Sequence, residues 1–187
     1  MKNQKTIRLN RLLEPERYKI TIHLDFTNHT FSGEEEIFGD LRTSSKTLKL
    51  HSVNLKIRSV AYKNAQGKSF PCRKITFDKK GESVSLLFSE ILPKGSGELR
   101  LKFSGKLTDD MRGFYRSRYK VGEEDKFLAT TQFESTDARR AFPCIDEPMA
   151  KATFDIKITT KKEFEAIYNT KVVNKESENN VVTYTFD

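Results

Sequence analysis

Residues 130–148, TTQFESTDARRAFPCIDEP, contain the side chains whose types and spacing could do chemistry. Alternation along the strand predicted to enter this segment places Gln132 and Glu134 on one face. An ionised carboxylate beside an amide could bind a cation, such as an amine, through charge-assisted hydrogen bonds. Composition alone favours an alternative, in which Glu134 only forms an ion pair with Arg139 or Arg140 across the turn.

The other charges of this segment are predicted to be structural. Their signs balance, as expected of an ion-pair network that pins an irregular loop, and they belong to Asp137, Arg139, Arg140, Asp146 and Glu147. Pro143 and Pro148 stiffen the same loop because the proline ring fixes φ.

The sequence contains none of the motifs that are typical of a metal site, a catalytic nucleophile or a phosphate-binding loop. The three histidines, His23, His29 and His51, have no second histidine at helical spacing, and no HExxH motif occurs. There is no G-x-S-x-G nucleophile motif, and Cys144 has no histidine near it in sequence. PKGSGELR has neither of the phosphate-loop spacings. We therefore expect neither a catalytic residue nor a metal site in this chain.

The elements that must position the candidate residues are β-strands. Residues 17–26 alternate apolar and polar side chains, which is typical of a half-buried strand. Similar patterns predict strands at 47–50, 53–57, 83–88, 98–103, 126–133, 153–159 and 181–186, with turns at 64–67, 78–81 and 93–97. The spacing predicts an all-β domain, an antiparallel sandwich of two packed sheets.

Helical patterns are short. One or two turns are predicted over residues 135–142, with Ser135 or Thr136 as the cap, and a weaker candidate lies at 161–167.

Length and composition indicate a single globular domain spanning 1–187. The net charge of +8 comes from scattered lysines and arginines, so nucleic acid is not an expected partner. Cys72 and Cys144 are predicted to be reduced thiols, and a single disulfide between them is the alternative.

No signal peptide or membrane-length apolar run is visible, which predicts a cytoplasmic location without a membrane partner. Because the sequence stops inside a predicted strand, we expect it to be part of a longer polypeptide.

Several segments together resemble the N-terminal domain of zinc aminopeptidases of the aminopeptidase N and puromycin-sensitive type. The long segment 130–148, followed by KATFDI, is the most specific of them. RLLEPERYKITIHLDFTNHTFSGEEEI is similar to the opening strands of that family, and LTDDMRGFYRSRY resembles its L-x-D-x-M-x-G-F-Y-R-S-x-Y hairpin.

The resemblance implies a saddle-shaped β domain that docks on the zinc-containing catalytic domain of the same polypeptide. That enzyme would remove single amino acids from peptide N-termini, whereas the domain alone would be inactive. In the family's T-Q-x-[E/Q] motif, the last residue holds the free α-ammonium of the peptide. The resemblance assigns this role to Glu134 and implies that Gln132 lines the pocket for the first side chain.

A second hypothesis also fits the strand pattern, namely a free-standing β-sandwich that recognises a protein or carbohydrate without catalysis. The two hypotheses differ in the reading frame beyond Asp187, where only the aminopeptidase predicts an HExxH motif.

Overall fold

The computed structural model describes residues 8–9 and 12–187, and alternating apolar residues fold most of this part into strands. It contains twelve strands and one 3₁₀ turn, Ala138–Arg140. The strands are β1 (Leu13–Asp25), β2 (Thr30–Leu41), β3 (Ser45–His51), β4 (Lys56–Asn64), β5 (Ser69–Asp78), β6 (Ser83–Leu92), β7 (Gly95–Lys106), β8 (Gly113–Val121), β9 (Glu124–Gln132), β10 (Thr153–Lys161), β11 (Val172–Glu178) and β12 (Val181–Phe186). The predicted all-β class is confirmed.

Ten strands form one hydrogen-bonded series, in the order β11-β12-β10-β1-β2-β7-β4-β5-β6-β3. The series folds over at β5, which pairs with β4 through Ser69–Pro71 and with β6 from Cys72 onwards. A strand that changes partners in this way makes the corner between two packed layers. One layer therefore ends in β6 and β3, and it faces the longer layer that contains β1, β2, β7 and β4.

The core lies between these layers. Inward-facing residues of β1, β2, β7, β3 and β6 are buried, including Tyr18, Ile20, Phe31, Ile37, Leu99, Leu101, Phe103, Leu48, Leu50, Val84, Leu86 and Phe88. Each such side chain contributes roughly 1.5–3 kcal/mol when it leaves water. A second, small cluster of Val182, Tyr184 and Phe186 lies under the carboxy-terminal strands.

One strand pair departs from the antiparallel prediction. β1 pairs with β10 in parallel, with Arg17 opposite Thr153 and His23 opposite Thr159. Parallel neighbours need a long connection, and here the connection contains nearly all the other strands. Local alternation carries no signal for such a pairing.

Three local predictions were wrong. Residues 53–55 are not a strand, because Asn54 adopts a left-handed conformation (φ 58°) and β4 begins only at Lys56. Asp137, and neither Ser135 nor Thr136, precedes the 3₁₀ turn, and no side chain caps it. Residues 161–167 contain a turn and no helix.

β8 and β9 form a separate two-stranded hairpin, in which β9 contains residues 126–132 of the strand predicted at 126–133. Gly113 lies opposite Gln132 at its base, and Val121 lies opposite Glu124 at its tip. This hairpin delivers the chain to the candidate site. Within residues 8–9 and 12–187, no helix has the length and apolarity needed to cross a bilayer.

Candidate functional site

Glu134 lies in a tight turn immediately after β9. The strand ends at Gln132, and the Asp137 N–H donates to the Phe133 carbonyl at 2.9 Å, which closes a turn over Phe133–Asp137. The Glu134 N–H donates to Oε1 of Gln132 at 3.1 Å. The peptide bond between Glu134 and Ser135 is cis. The Gln132 side chain therefore contacts the backbone of Glu134. Because Glu134 lies beyond the strand end, the alternation that predicted a shared strand face does not extend to it.

The Glu134 side chain faces solvent. The residue is exposed, and it takes part in none of the ion pairs among the described residues. Arg139 and Arg140, its expected partners under the alternative interpretation, bind other carboxylates instead. An exposed carboxylate with this freedom can accept hydrogen bonds from an incoming cation.

Arg139 is the buried centre of the loop, with an exposed fraction of 7%. Its Nε donates to Oδ2 of Asp146 at 2.8 Å, and its Nη2 donates to the Asp146 carbonyl at 3.1 Å. Its Nη1 donates to Oε2 of Glu82 at 2.9 Å. The predicted ion pairing is confirmed for Arg139 and Asp146, whereas Glu147 forms no ion pair among the described residues and instead accepts from the Leu9 N–H at 2.8 Å. Glu82, from the β5–β6 turn, was not foreseen because it is distant in sequence.

The same loop is attached to the core by backbone hydrogen bonds. His51 and Cys144 exchange bonds of 2.8 and 3.1 Å, and Nδ1 of His51 accepts from the Asp146 N–H at 3.1 Å. The Tyr18 hydroxyl accepts from the Ile145 N–H at 3.3 Å. Burial raises the pKa of the Tyr18 hydroxyl and of the Cys144 thiol, so both stay protonated near neutral pH. This anchoring makes residues 137–147 a rigid base for the turn above them.

The carboxylate of Asp137 accepts hydrogen bonds from two arginines. Its Oδ1 accepts from Nε of Arg140 at 2.7 Å, and its Oδ2 accepts from Nε of Arg112 at 3.0 Å. Burial raises the pKa of Asp137, but the hydrogen bonds and charges of the two arginines outweigh that effect and lower it below the usual value. Arg112 was missed at the sequence level. The available signal was its position beside Gly113 in the hairpin motif.

No zinc site is built by the described part of the chain. Groups of three or more histidine, cysteine, aspartate or glutamate side chains that could hold a metal ion do not occur there. His51 is occupied by the loop contacts described above, and the two thiols are free cysteines. The described residues therefore do not fit a resident metal ion.

Comparison with known proteins matches residues 14–187 to the family described as the Peptidase M1 N-terminal domain. The chain is 37% identical over 180 residues to "Aminopeptidase M1-D" of Oryza sativa subsp. japonica, which covers 96% of this chain and 20% of that protein. It is 36% identical over 169 residues to "Puromycin-sensitive aminopeptidase" of Caenorhabditis elegans, covering 90% of this chain and 18% of the relative.

"Alanine/arginine aminopeptidase" of Saccharomyces cerevisiae is 35% identical over 170 residues, covering 86% of this chain and 19% of that protein. The chain thus spans about a fifth of the length of these curated relatives. With a family match that includes every strand from β2 to β12 and nearly all of β1, the chain belongs to the Peptidase M1 N-terminal domain family.

Proposed function

We propose that this chain is the substrate-clamping N-terminal domain of a zinc aminopeptidase, and that Glu134 holds the free α-ammonium of the peptide substrate. The observation that carries the proposal is the exposed carboxylate of Glu134, presented on a turn whose base is buried and cross-linked by ion pairs. The names of the relatives support the same class of activity.

Glu134 would select the substrate by charge. A hydrogen bond from an ammonium group to a carboxylate contributes about 1.5–3 kcal/mol of binding free energy. This is more than a neutral donor contributes to the same carboxylate. An internal peptide bond offers no positive charge. The enzyme would therefore favour a chain terminus over a point within the chain.

Gln132 would complete the subsite. Its Oε1 holds the backbone N–H of Glu134, which leaves its NH₂ group as a donor towards the substrate. In this role Gln132 lines the pocket for the first side chain and also fixes the backbone of the residue that binds the ammonium.

The zinc ion and its ligands would lie in the remainder of the enzyme, on which this domain docks. Bound there, the metal ion would polarise the scissile carbonyl and activate a water molecule. Exposed apolar side chains close to the loop support a docking surface, because Met149 is 65% exposed and Phe154 is 38% exposed. The two free cysteines fit a reducing compartment, so we propose a cytoplasmic location.

Replacement of Glu134 by glutamine in the full-length enzyme tests the proposal. Glutamine keeps the shape but removes the charge, so we expect kcat/KM for aminoacyl anilides to fall by about tenfold or more. The loss should be concentrated in substrates and inhibitors with a free amine, and the Ki of a des-amino inhibitor should change little.

Glu123→Gln is the matched control, because Glu123 is an exposed glutamate in the turn at the other end of the same hairpin. It should leave all of these constants unchanged. Unaltered kinetics in Glu134→Gln, with the control also unaltered, would contradict the assignment.

A further inference from the structure

The turn that carries Glu134 is held from two directions. The chain enters it through β9, whose last residue Gln132 lies opposite Gly113, the first residue of β8. Arg112 immediately precedes Gly113, so the start of the hairpin and the end of the hairpin meet beside the turn. The turn itself closes at Asp137, whose N–H binds the Phe133 carbonyl.

The carboxylate of Asp137 connects the start of the hairpin to the end of the turn. Its side chain is 8% exposed, and it accepts hydrogen bonds from Nε of Arg112 at 3.0 Å and from Nε of Arg140 at 2.7 Å. Arg140 is three residues away on the same 3₁₀ turn, so its bond is local and cannot attach the turn to another element. Within the described residues, the Arg112 bond is the ion pair that connects Asp137 to the hairpin.

Gly113 allows this approach. Its φ of +68° lies in the left-handed region, and a Cβ there would overlap Cβ of Arg140 and lie 3.0 Å from the Asp137 carbonyl oxygen. Glycine therefore brings the backbone of the hairpin against the base of the turn. Because of this contact, the Arg112 side chain reaches Asp137 at hydrogen-bonding distance.

We infer that Arg112 is a positioning residue, which fixes the Glu134 carboxylate through Asp137 for contact with the substrate ammonium. The inference rests on the proposed function of Glu134. It assigns to Arg112, in the hairpin segment 107–119, a task beyond leading the chain into the turn. Arg112 itself touches no substrate in this arrangement.

Substrate selection should depend on Arg112 more than stability does. Its side chain is 53% exposed, and without it Arg140 would still bind the buried carboxylate of Asp137, so the free energy of unfolding should change little. A binding group displaced by about 1 Å can nevertheless cost up to about a hundredfold in rate. Loss of Arg112 should thus weaken recognition of the ammonium while the fold stays intact.

A double-mutant cycle in the full-length enzyme tests this inference. The variants are Arg112→Gln, Glu134→Gln and both together, assayed for kcat/KM and for the Ki of an amine inhibitor and its des-amino analogue. We expect Arg112→Gln to lower kcat/KM about tenfold in the presence of Glu134, through loss of amine recognition. In the Glu134→Gln background it should have almost no further effect.

Arg118→Gln is the matched control, because Arg118 is an exposed arginine of the same hairpin that pairs with Asp125 at 3.5 Å, away from the turn. Its kinetic constants should be unchanged. If Arg112→Gln lowers the midpoint of thermal unfolding substantially, Arg112→Lys keeps the charge without the planar guanidinium, and its smaller loss should show the same dependence on Glu134.

Two results would overturn the inference and are distinguishable from each other. If Glu134→Gln is impaired but Arg112→Gln is normal, or is impaired equally in both backgrounds, Arg112 does not act through Glu134, and the proposed function stands. If Glu134→Gln has normal kinetics, the proposed function fails and the inference fails with it.

Discussion

Glu35 is an acidic side chain inside an apolar core. It lies in β2 opposite Ile20 of β1 and Leu101 of β7, and it is 1% exposed. Both carboxyl oxygens are buried without a hydrogen-bond partner, and none of the ion pairs among the described residues includes this side chain. Burial raises the pKa of Glu35 well above its usual value, because the charged form loses its hydration.

Glu35→Gln should therefore stabilise the protein near neutral pH. The folded state binds this proton more tightly than the unfolded chain does. The contribution of Glu35 to the free energy of unfolding is therefore fully present below the ordinary pKa of about 4.3, and it is lost as the pH rises through the raised pKa. Glutamine needs no proton, and we expect it to add about 1–3 kcal/mol to the free energy of unfolding at pH 7.

Urea unfolding at pH 4 and pH 7 measures the difference, which should nearly vanish at pH 4. Glu34→Gln is the control on the same strand, since Glu34 is 58% exposed and pairs with Lys102. Its effect should stay within about 0.5 kcal/mol at both values. An equal effect of Glu35→Gln at the two pH values would refute the protonated state.

At the scale of elements, Gly39 allows the backbone of β2 to lie close to the backbone of β1. β1 has a bulge between Pro15 and Arg17, and Gly39 lies opposite Pro15. A Cβ at Gly39 would overlap the carbonyl oxygen of Glu14 and lie 2.9 Å from Cα of Pro15. These are backbone atoms, so the clash cannot be relieved by a change of rotamer.

Gly39→Ala should lower the free energy of unfolding by about 1–3 kcal/mol, which denaturant titration measures. The sign is informative, because an unstrained glycine-to-alanine change usually stabilises by about 0.4–1 kcal/mol. Ser32→Ala, at an exposed position of the same strand, should change stability by less than about 0.5 kcal/mol. A more stable Gly39→Ala variant would show that the bulge does not restrict this position.

Alternation predicted β1, β3, β6, β7, β9, β10 and β12 from the sequence. It did not predict β2, β5, β8 or β11, and it covered only the first two residues of β4. β1 and β7 were clear, because Tyr18, Ile20, Leu99 and Leu101 recur at every second position. β5 was missed because it leaves one layer for the other, and β11 because all seven of its residues are exposed.

Only part of the candidate site could be predicted from the sequence. Glu134 and its neighbour Gln132 could be selected from adjacent residues, and the role of Glu134 stays a prediction. The ion pairs of Glu82 and Arg112 could not be predicted, because their partners are 57 and 25 residues away along the chain. Contacts over that distance depend on the tertiary fold.

At the scale of the whole molecule, the isolated chain should not hydrolyse peptides. The described residues include no group of three or more side chains that could hold a zinc ion, and under the proposed function Glu134 would bind the substrate ammonium without activating water. We expect the rate with aminoacyl anilides to equal that of buffer, with or without added zinc, whereas the proposed full-length enzyme should be active in the same assay. Zinc-dependent turnover by the isolated chain would contradict the proposed division of tasks.

The parallel contact between β1 and β10 affects the order of assembly during synthesis. Arg17 and Asp155, which form an ion pair across it, are 138 residues apart in the chain. Ribosomes add about 5–20 residues per second, so the first strand waits many seconds for its neighbour. Until then one side of β1 offers unpaired N–H and C=O groups to other chains. We therefore expect nascent chains to need chaperone protection until residues beyond 161 have emerged.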